Sequence, residues 1–317
     1  MKDIRIIEVK SELGAGTRGA SMGIDAIKVA ALDFGSSYFR KYPSVEVPNE
    51  NKYLLEPIVH DYAKRIKGVY AINEKVCNQI ENTITQHKAF PIVLAGDHST
   101  AIGTVCGLKK AYPDKRIGII WIDAHADMHS PYTTPSGNMH GMALSALLGE
   151  DNREQGINRP DEETIEYWEK LKNLGFTGPK ARYSDVVLVS LRDLEMQEDY
   201  LIRKHKIKTF TVNEIRQKAV ERIAIESLNA LDQCDLIHVS FDVDSMDPGI
   251  SKGTGTPTPD GITEKEAGNF IYYLLRSKKI CSFEIVEINP TLDRENLMAE
   301  NAFEVLLKAT NQLNNDF

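Results

Sequence analysis

The sequence predicts an α/β fold with a mostly parallel sheet covered on both faces. Three observations carry this: β-branched runs alternate with stretches of helical periodicity, the runs are nearly continuous in Ile, Val and Leu, and four of them end in polar clusters. Ile4 to Val9 reads as the first strand. Phe90 to Ala95 follows, then a helix over Ala101 to Ala111 and a third strand over Ile117 to Ile122. Apolar spacing predicts a helix over Met139 to Leu148. The polar stretch Asp151 to Asp185, with a short surface helix at Thr164 to Leu171, reads as an excursion between core units. Strands over Val186 to Leu191, Leu236 to Phe241 and Ile280 to Ile288 alternate with helices over Val212 to Ala230, Thr263 to Leu275 and Ala299 to Leu313. No repeat and no Pro/Gly/Ser linker divides the chain, so one domain is expected over residues 1–317.

Composition narrows the function classes. With 42% hydrophobic and 26% charged residues over 317 positions, the chain has enough apolar material for a large core, which excludes a disordered or collagen-like protein. Its 4 cysteines form no CxxC pair, which argues against a zinc ribbon or a disulfide scaffold and suits a reducing cytoplasm. A net charge of -8 and the lack of a basic run make nucleic acid an unexpected partner. Apolar runs such as Phe90 to Ala95 fall far short of the roughly 18 residues a membrane helix needs. Met1 to Lys10 is charged and strand-like, unlike a signal peptide.

The strand-end clusters carry the chemistry. They are Gly96-Asp97-His98-Ser99, Asp123-Ala124-His125-Ala126-Asp127, Asp242-Val243-Asp244 with Asp247-Pro248, and Glu287-Ile288-Asn289-Pro290. Ligand sites of open parallel α/β sheets lie beyond the carboxyl ends of the strands, so these clusters are expected to converge on one crevice. In DxHxD and DxD, alternate residues point the same way if the backbone stays extended. A lone Asp at a strand end usually caps the next helix. Four carboxylates and two histidines gathered together instead require cations, and that donor set favours Mn over Zn. Two divalent ions bridged by aspartates would sit roughly 3.5 to 4 Å apart, as in two-metal hydrolases. Gly14-Ala15-Gly16-Thr17-Arg18-Gly19 spells GxGxxG, but no acidic residue closes a second strand behind it, so it reads as a loop at the strand edge. Gly253 to Pro257 reads as a tight loop bordering the crevice.

These motifs, together with Ser240 to Pro248, resemble the three signatures of the ureohydrolase family, which holds arginase, agmatinase and related amidinohydrolases. The resemblance runs from about Gly14 to the last helix. It implies a three-layer α/β/α sandwich with two Mn2+ per subunit. One ion would be held by His98, Asp123, Asp127 and Asp242, the other by His125, Asp123, Asp242 and Asp244. A metal-bridging hydroxide would attack the guanidinium carbon. Glu287 would pair with the guanidinium, His140 would pass a proton to the leaving amine from a pKa near neutrality, and Asp127 would also hold the proton of the nucleophile.

Ser136-Gly137-Asn138-Met139-His140-Gly141 resembles the arginase form of the loop after the second motif and points to L-arginine over agmatine, with L-ornithine and urea as products. By the same resemblance His129, Thr134 and Ser136 would meet the α-carboxylate and Glu195 and Glu198 the α-amino group, with Asn138 and Thr256 as further substrate-binding residues. The family usually has Asn at the position of His129 and Asp at that of Glu195, which leaves agmatinase, guanidinobutyrase and guanidinase activities as the alternatives. Arg192-Asp193 reads as a structural ion pair. The resemblance also implies a homo-oligomer, a trimer or hexamer.

Overall fold

The computed structural model describes residues 3–314. Eight strands form one sheet: β1 (Ile4–Val9), β2 (Ser44–Glu46), β3 (Phe90–Ala95), β4 (Ile117–Ile122), β5 (Val186–Val189), β6 (Lys208–Phe210), β7 (Leu236–Asp242) and β8 (Ile280–Val286). Their order is β2-β1-β3-β8-β7-β4-β5-β6, and every pairing between them is parallel. Parallel neighbours need crossover connections, and helices supply them. These are α1 (Gly23–Asp33), α2 (Tyr38–Lys41), α3 (Ile66–Thr85), α4 (Ala101–Ala111), α5 (Ala143–Leu148), α6 (Glu162–Lys172), α7 (Met196–His205), α8 (Val212–Lys218), α9 (Val220–Ala230), α10 (Glu264–Leu274) and α11 (Leu297–Asn314).

Period-two alternation splits β1, β3, β4 and β5 between two cores. Ile92 and Leu94 face a core shared with α1, α10 and α11, whereas Val93 and Ala95 face one shared with α3, α4 and α5. The result is the expected three-layer α/β/α arrangement, and it explains why β3, β4 and β5 read as nearly continuous apolar runs. Among the described residues no helix is long and apolar enough to cross a membrane.

Several elements differ from the sequence expectation. Strands β2 and β6 are three-residue edge strands, too short for periodicity to register. Helix α3 lies where no helix was expected, although Ile66, Val69, Ile72, Val76 and Ile80 form an apolar stripe on it. It packs closely on α4, where a Cβ at Gly107 would come within 2.6 Å of the Cys77 carbonyl oxygen. The helix expected over Val212 to Ala230 breaks at Ala219, whose φ of 68° leaves the right-handed region and separates α8 from α9. Helix α6 is less superficial than expected, because Trp168 and Leu171 are buried against the core.

The strand order decides where the polar clusters go. β3, β8, β7 and β4 are the four successive strands at the centre of the sheet, and each ends in one of the four clusters. Their carboxyl ends therefore open onto a common crevice.

Candidate metal centre and substrate pocket

Two histidines organise the crevice. His98 leaves β3 in a 3-10 turn, and its Nδ1 lies 3.1 Å from Asp123 Oδ2, 3.0 Å from Asp127 Oδ2 and 3.1 Å from Asp242 Oδ2. None of these contacts has hydrogen-bond geometry, so this buried nitrogen has no hydrogen-bond partner while three carboxylate oxygens crowd it. That is the disposition of a lone pair and three anions converging on a cation. His125 Nδ1 lies 3.0 Å from Asp244 Oδ2 and 3.3 Å from Asp123 Oδ1. Asp123 thus turns one oxygen to each histidine. The second oxygen of Asp242 accepts the Asp244 backbone N–H at 2.8 Å. All donors are carboxylate oxygens or imidazole nitrogens with no thiolate, a set that fits hard or borderline divalent ions.

The backbone commits strain to this arrangement. Asp127 and Glu287 have φ values of 51° and 68°, in the left-handed region that non-glycine residues avoid. The turn at Asp127 is held by Leu144 N–H donating to the Asp127 carbonyl, and that at Glu287 by its own N–H donating to Gly96 O.

Electrostatics show what the bare cluster costs. Burial, reinforced by Asp244 and Asp123, pushes Asp242 well above the carboxylate range, and burial with Asp123 raises Asp127. Burial and Asp123 raise Asp244 to about 6. Asp123 goes the other way: burial favours its neutral form, but the close contacts and charge of His125 and His98 outweigh it. Desolvation opposes charge on His98 and His125, yet the carboxylates around them raise both. Without cations the cluster is neutralised by protons.

A pH-dependent stability follows. Asp127, Asp242 and Asp244 have raised folded values, so their contribution is complete below about 3.9 and is lost as pH climbs through those values. The two raised histidines act in the same direction above about 6.5, while lowered Asp123 acts oppositely only at acid pH. Cation binding displaces these protons. The gap in Tm between manganese-loaded and metal-free protein is expected to widen as pH rises from about 5 to about 7.5. A gap that narrows over that range would contradict this picture.

Beside the cluster lies a cavity of about 400 Å³ lined by His125, Asp127, Asp242 and Asp244 on the metal side and by His129, Thr134, Ser136, Asn138, Glu195, Glu198, His140 and Thr256 around it. Thr134 Oγ1 accepts the Gly137 N–H at 2.9 Å and Ser136 Oγ the Asn138 N–H at 3.2 Å, which shape the loop between them. Thr256 Oγ1 donates to Asp244 Oδ2 at 2.9 Å. Glu195 caps α7, and Glu198 closes a capping box with it. Burial and Glu195 raise Glu198 well above the carboxylate range, whereas the His129 hydrogen bond holds Glu195 down at about 2. His129 Nε2 lies 3.1 Å from Glu195 Oε2, so the two residues that depart from the family pattern contact each other.

Glu287 is 2% exposed and sits behind His140 rather than on the cavity wall. One of its oxygens lies 3.0 Å from His140 Nδ1 and accepts the His98 N–H at 2.9 Å. Burial opposes charge on His140, but Glu287 raises it to about 9, above the near-neutral value expected. The GxGxxG segment is a loop whose Gly14 carbonyl accepts the His140 N–H and whose Gly14 N–H donates to Asp97. The expected Arg192–Asp193 ion pair is absent. Arg192 instead braces the crevice by donating to the carbonyls of Asp244, Thr258 and Pro259, and Asp193 lies 3.5 Å from His125 Nε2. Sequence reasoning also missed Trp121, which stacks on His98 with ring centroids 3.9 Å apart and donates from Nε1 to Asp123 Oδ2. Its position two residues before Asp123 on the same strand was the available signal.

Fold and site together define an α/β protein with a mixed imidazole and carboxylate metal centre at the carboxyl edge of a parallel sheet. The Arginase family model matches residues 2–310. The chain is 35% identical to an arginase of Bacillus subtilis (strain 168), with 96% of each chain covered. The crystal structure of Bacillus caldovelox arginase superposes with a TM-score of 0.83 at 32% identity, covering 100% of this chain and 99% of the other. Formimidoylglutamase from Bacillus subtilis shares the fold, with a TM-score of 0.75 at 18% identity over 100% of this chain and 88% of the other. The chain belongs to the arginase family, and it is an arginase-type hydrolase of C–N bonds in linear amidines.

Proposed function

We propose that the protein is a manganese-dependent arginase that converts L-arginine to L-ornithine and urea. The observation that carries this is the pair of histidines sharing Asp123 beside a cavity rimmed by Thr134 and Ser136 on one side and by Glu195 and Glu198 on the other. His98, Asp123, Asp127 and Asp242 would hold one ion, and His125, Asp123, Asp242 and Asp244 the other. When bound, the two ions supply Lewis acidity and a hydroxide nucleophile at neutral pH.

The chain's own residues do the rest. Thr134, Ser136, Asn138 and His129 orient the substrate carboxylate, and Glu195 with Glu198 accept the α-ammonium. The guanidinium takes the place of His140 as the partner of Glu287, a contact that carries the amidine carbon to the cluster. Losing that partner drops the pKa of His140 from about 9, so the ring can then release its proton to the departing amine nitrogen. Asp127, on the cavity wall, receives and holds the proton of the nucleophile. A single domain over residues 1–317, working as a cytoplasmic homo-oligomer, is the setting that the family resemblance supports.

The His129–Glu195 contact favours a second reading, hydrolysis of another guanidino compound such as agmatine or 4-guanidinobutyrate. It engages the carboxylate that an α-ammonium would need, so arginine must displace an internal partner. Urea release from L-arginine, agmatine, 4-guanidinobutyrate and guanidine, measured side by side, separates the readings. The arginase reading expects L-arginine to have the highest kcat/KM, and a preference for any other member of the panel would overturn the substrate. Glu195→Ala is expected to raise the KM for L-arginine more than it lowers kcat. An unchanged KM would remove Glu195 from recognition.

A further inference from the structure

The two strands at the heart of the sheet carry a polar stripe that the reaction as described does not use. On one face of β7 and β8 lie Ile237, Val239, Phe241, Phe283 and Ile285, an unbroken apolar surface. On the other face His238 pairs across the strands with Ser282, and Ser240 with Glu284. All four are 0% exposed. Strands β3 and β4 present Val93, Ile119 and Trp121 to that same layer. An acid, an imidazole and two hydroxyls in such surroundings cost free energy unless their bonds are made, and a core made only of Val and Ile would avoid the cost.

Their hydrogen bonds form a directed chain. Ser240 Oγ donates to Glu284 Oε1 at 2.7 Å, and His238 Nε2 meets the same oxygen at 3.0 Å. His238 Nδ1 is in turn 2.7 Å from Ser282 Oγ. Burial favours the neutral acid, but His238, with His98 and the Ser240 hydrogen bond, more than offsets it and keeps Glu284 a carboxylate, which can only accept. The Ser240 hydrogen is therefore committed to Glu284, and the lone pair of Ser240 faces His98 Nε2 at 2.8 Å. That commits Nε2 of His98 to carrying a proton, so that Nδ1, facing the three aspartates, is the nitrogen left to give its lone pair to a cation.

We propose that the Glu284–His238 pair is a positioning unit for the metal centre, acting through Ser240 to hold the His98 ring in its ligating tautomer and orientation. The proposal rests on the reading of His98 as a ligand. A carboxylate behind a histidine ligand is a common device for fixing its tautomer, and losing such a partner typically costs 10- to 100-fold in metal affinity. Here a hydroxyl is interposed, and a second histidine anchors the carboxylate. Glutamine at position 284 would keep the shape but could donate its own N–H to Ser240, freeing the serine hydrogen to point at His98.

The test is calorimetric titration of the metal-free full-length chain with Mn2+, paired with the Tm of the metal-free protein. Wild type is expected to take up two ions. In Glu284→Gln one of the two sites is expected to weaken by about 10- to 100-fold and the other to change by less than about threefold. Adding Ser240→Ala to that variant should cost little more, because the chain is already cut. The double variant His238→Gln with Glu284→Gln removes the buried acid and imidazole together. It is expected to stay weakened for the metal even where its metal-free Tm matches wild type. Wild-type affinities in Glu284→Gln, or affinities restored together with Tm in the double variant, would reduce the pair to a structural role and overturn the proposal. If Glu284→Gln does not fold, Ser240→Ala alone must weaken the same single site, and two unchanged sites there would overturn it. A wild-type chain that binds no manganese would overturn the metal reading itself, an outcome distinct from the failure of the positioning unit.

Discussion

Replacing Asp127 with asparagine is expected to remove nearly all urea release while leaving the fold intact. The backbone there is left-handed with φ 51°, a conformation asparagine tolerates as readily as aspartate, so the exchange adds no strain. What it removes is an anion 3.0 Å from His98 Nδ1, where a neutral amide cannot balance a cation or hold a proton. Losing a partner behind a ligand costs 10- to 100-fold, so losing a ligand that also handles the proton should exceed about 100-fold in kcat. Circular dichroism and a manganese-saturated urea assay check the two halves. Wild-type turnover in this variant would remove Asp127 from the chemistry.

Glu287→Gln is the second large effect. The carboxylate is buried, and His140 Nδ1 and the His98 N–H are its partners. A glutamine cannot pair with a guanidinium by charge, so kcat/KM is expected to fall by at least about 100-fold. The same change removes what holds His140 at about 9. Burial still opposes charge and only Asp127 and Asp97 still favour it, so His140 should titrate below its wild-type value. The sign in stability follows. In wild type a raised histidine contributes fully below about 6.5 and loses that contribution as pH rises through about 9, a slope that should be weaker in the variant. Histidine titration by NMR reads the shift directly, and a His140 value still near 9 in Glu287→Gln would show that Glu287 is not its cause.

The central sheet was legible because six of its strands are Ile- and Val-rich runs bounded by polar residues, a direct imprint of burial on both faces. The edge strands β2 and β6 leave no such imprint, since three residues with exposed positions carry no period. Helix α3 had a readable apolar stripe, but its polar flanks start without a side-chain cap that would mark its beginning. The convergence of four clusters was legible from their strand-end positions, and the reason they meet is the order β3-β8-β7-β4, which sequence spacing does not encode. What stayed hidden were pair contacts: His140 against Glu287, His129 against Glu195, and Arg192 turned away from Asp193 onto three carbonyls. The polar stripe on β7 and β8 was written in the alternation His238-Val239-Ser240 and Ser282-Phe283-Glu284, but only the strand register makes it one chain.

Two metal ions held at one site are central to the proposed activity, and urea release from L-arginine by metal-free protein titrated with manganese tests them most directly. Activity should be near zero without metal and climb to a plateau at two equivalents per chain. Full activity in the metal-free protein, or a plateau at one equivalent, would contradict it.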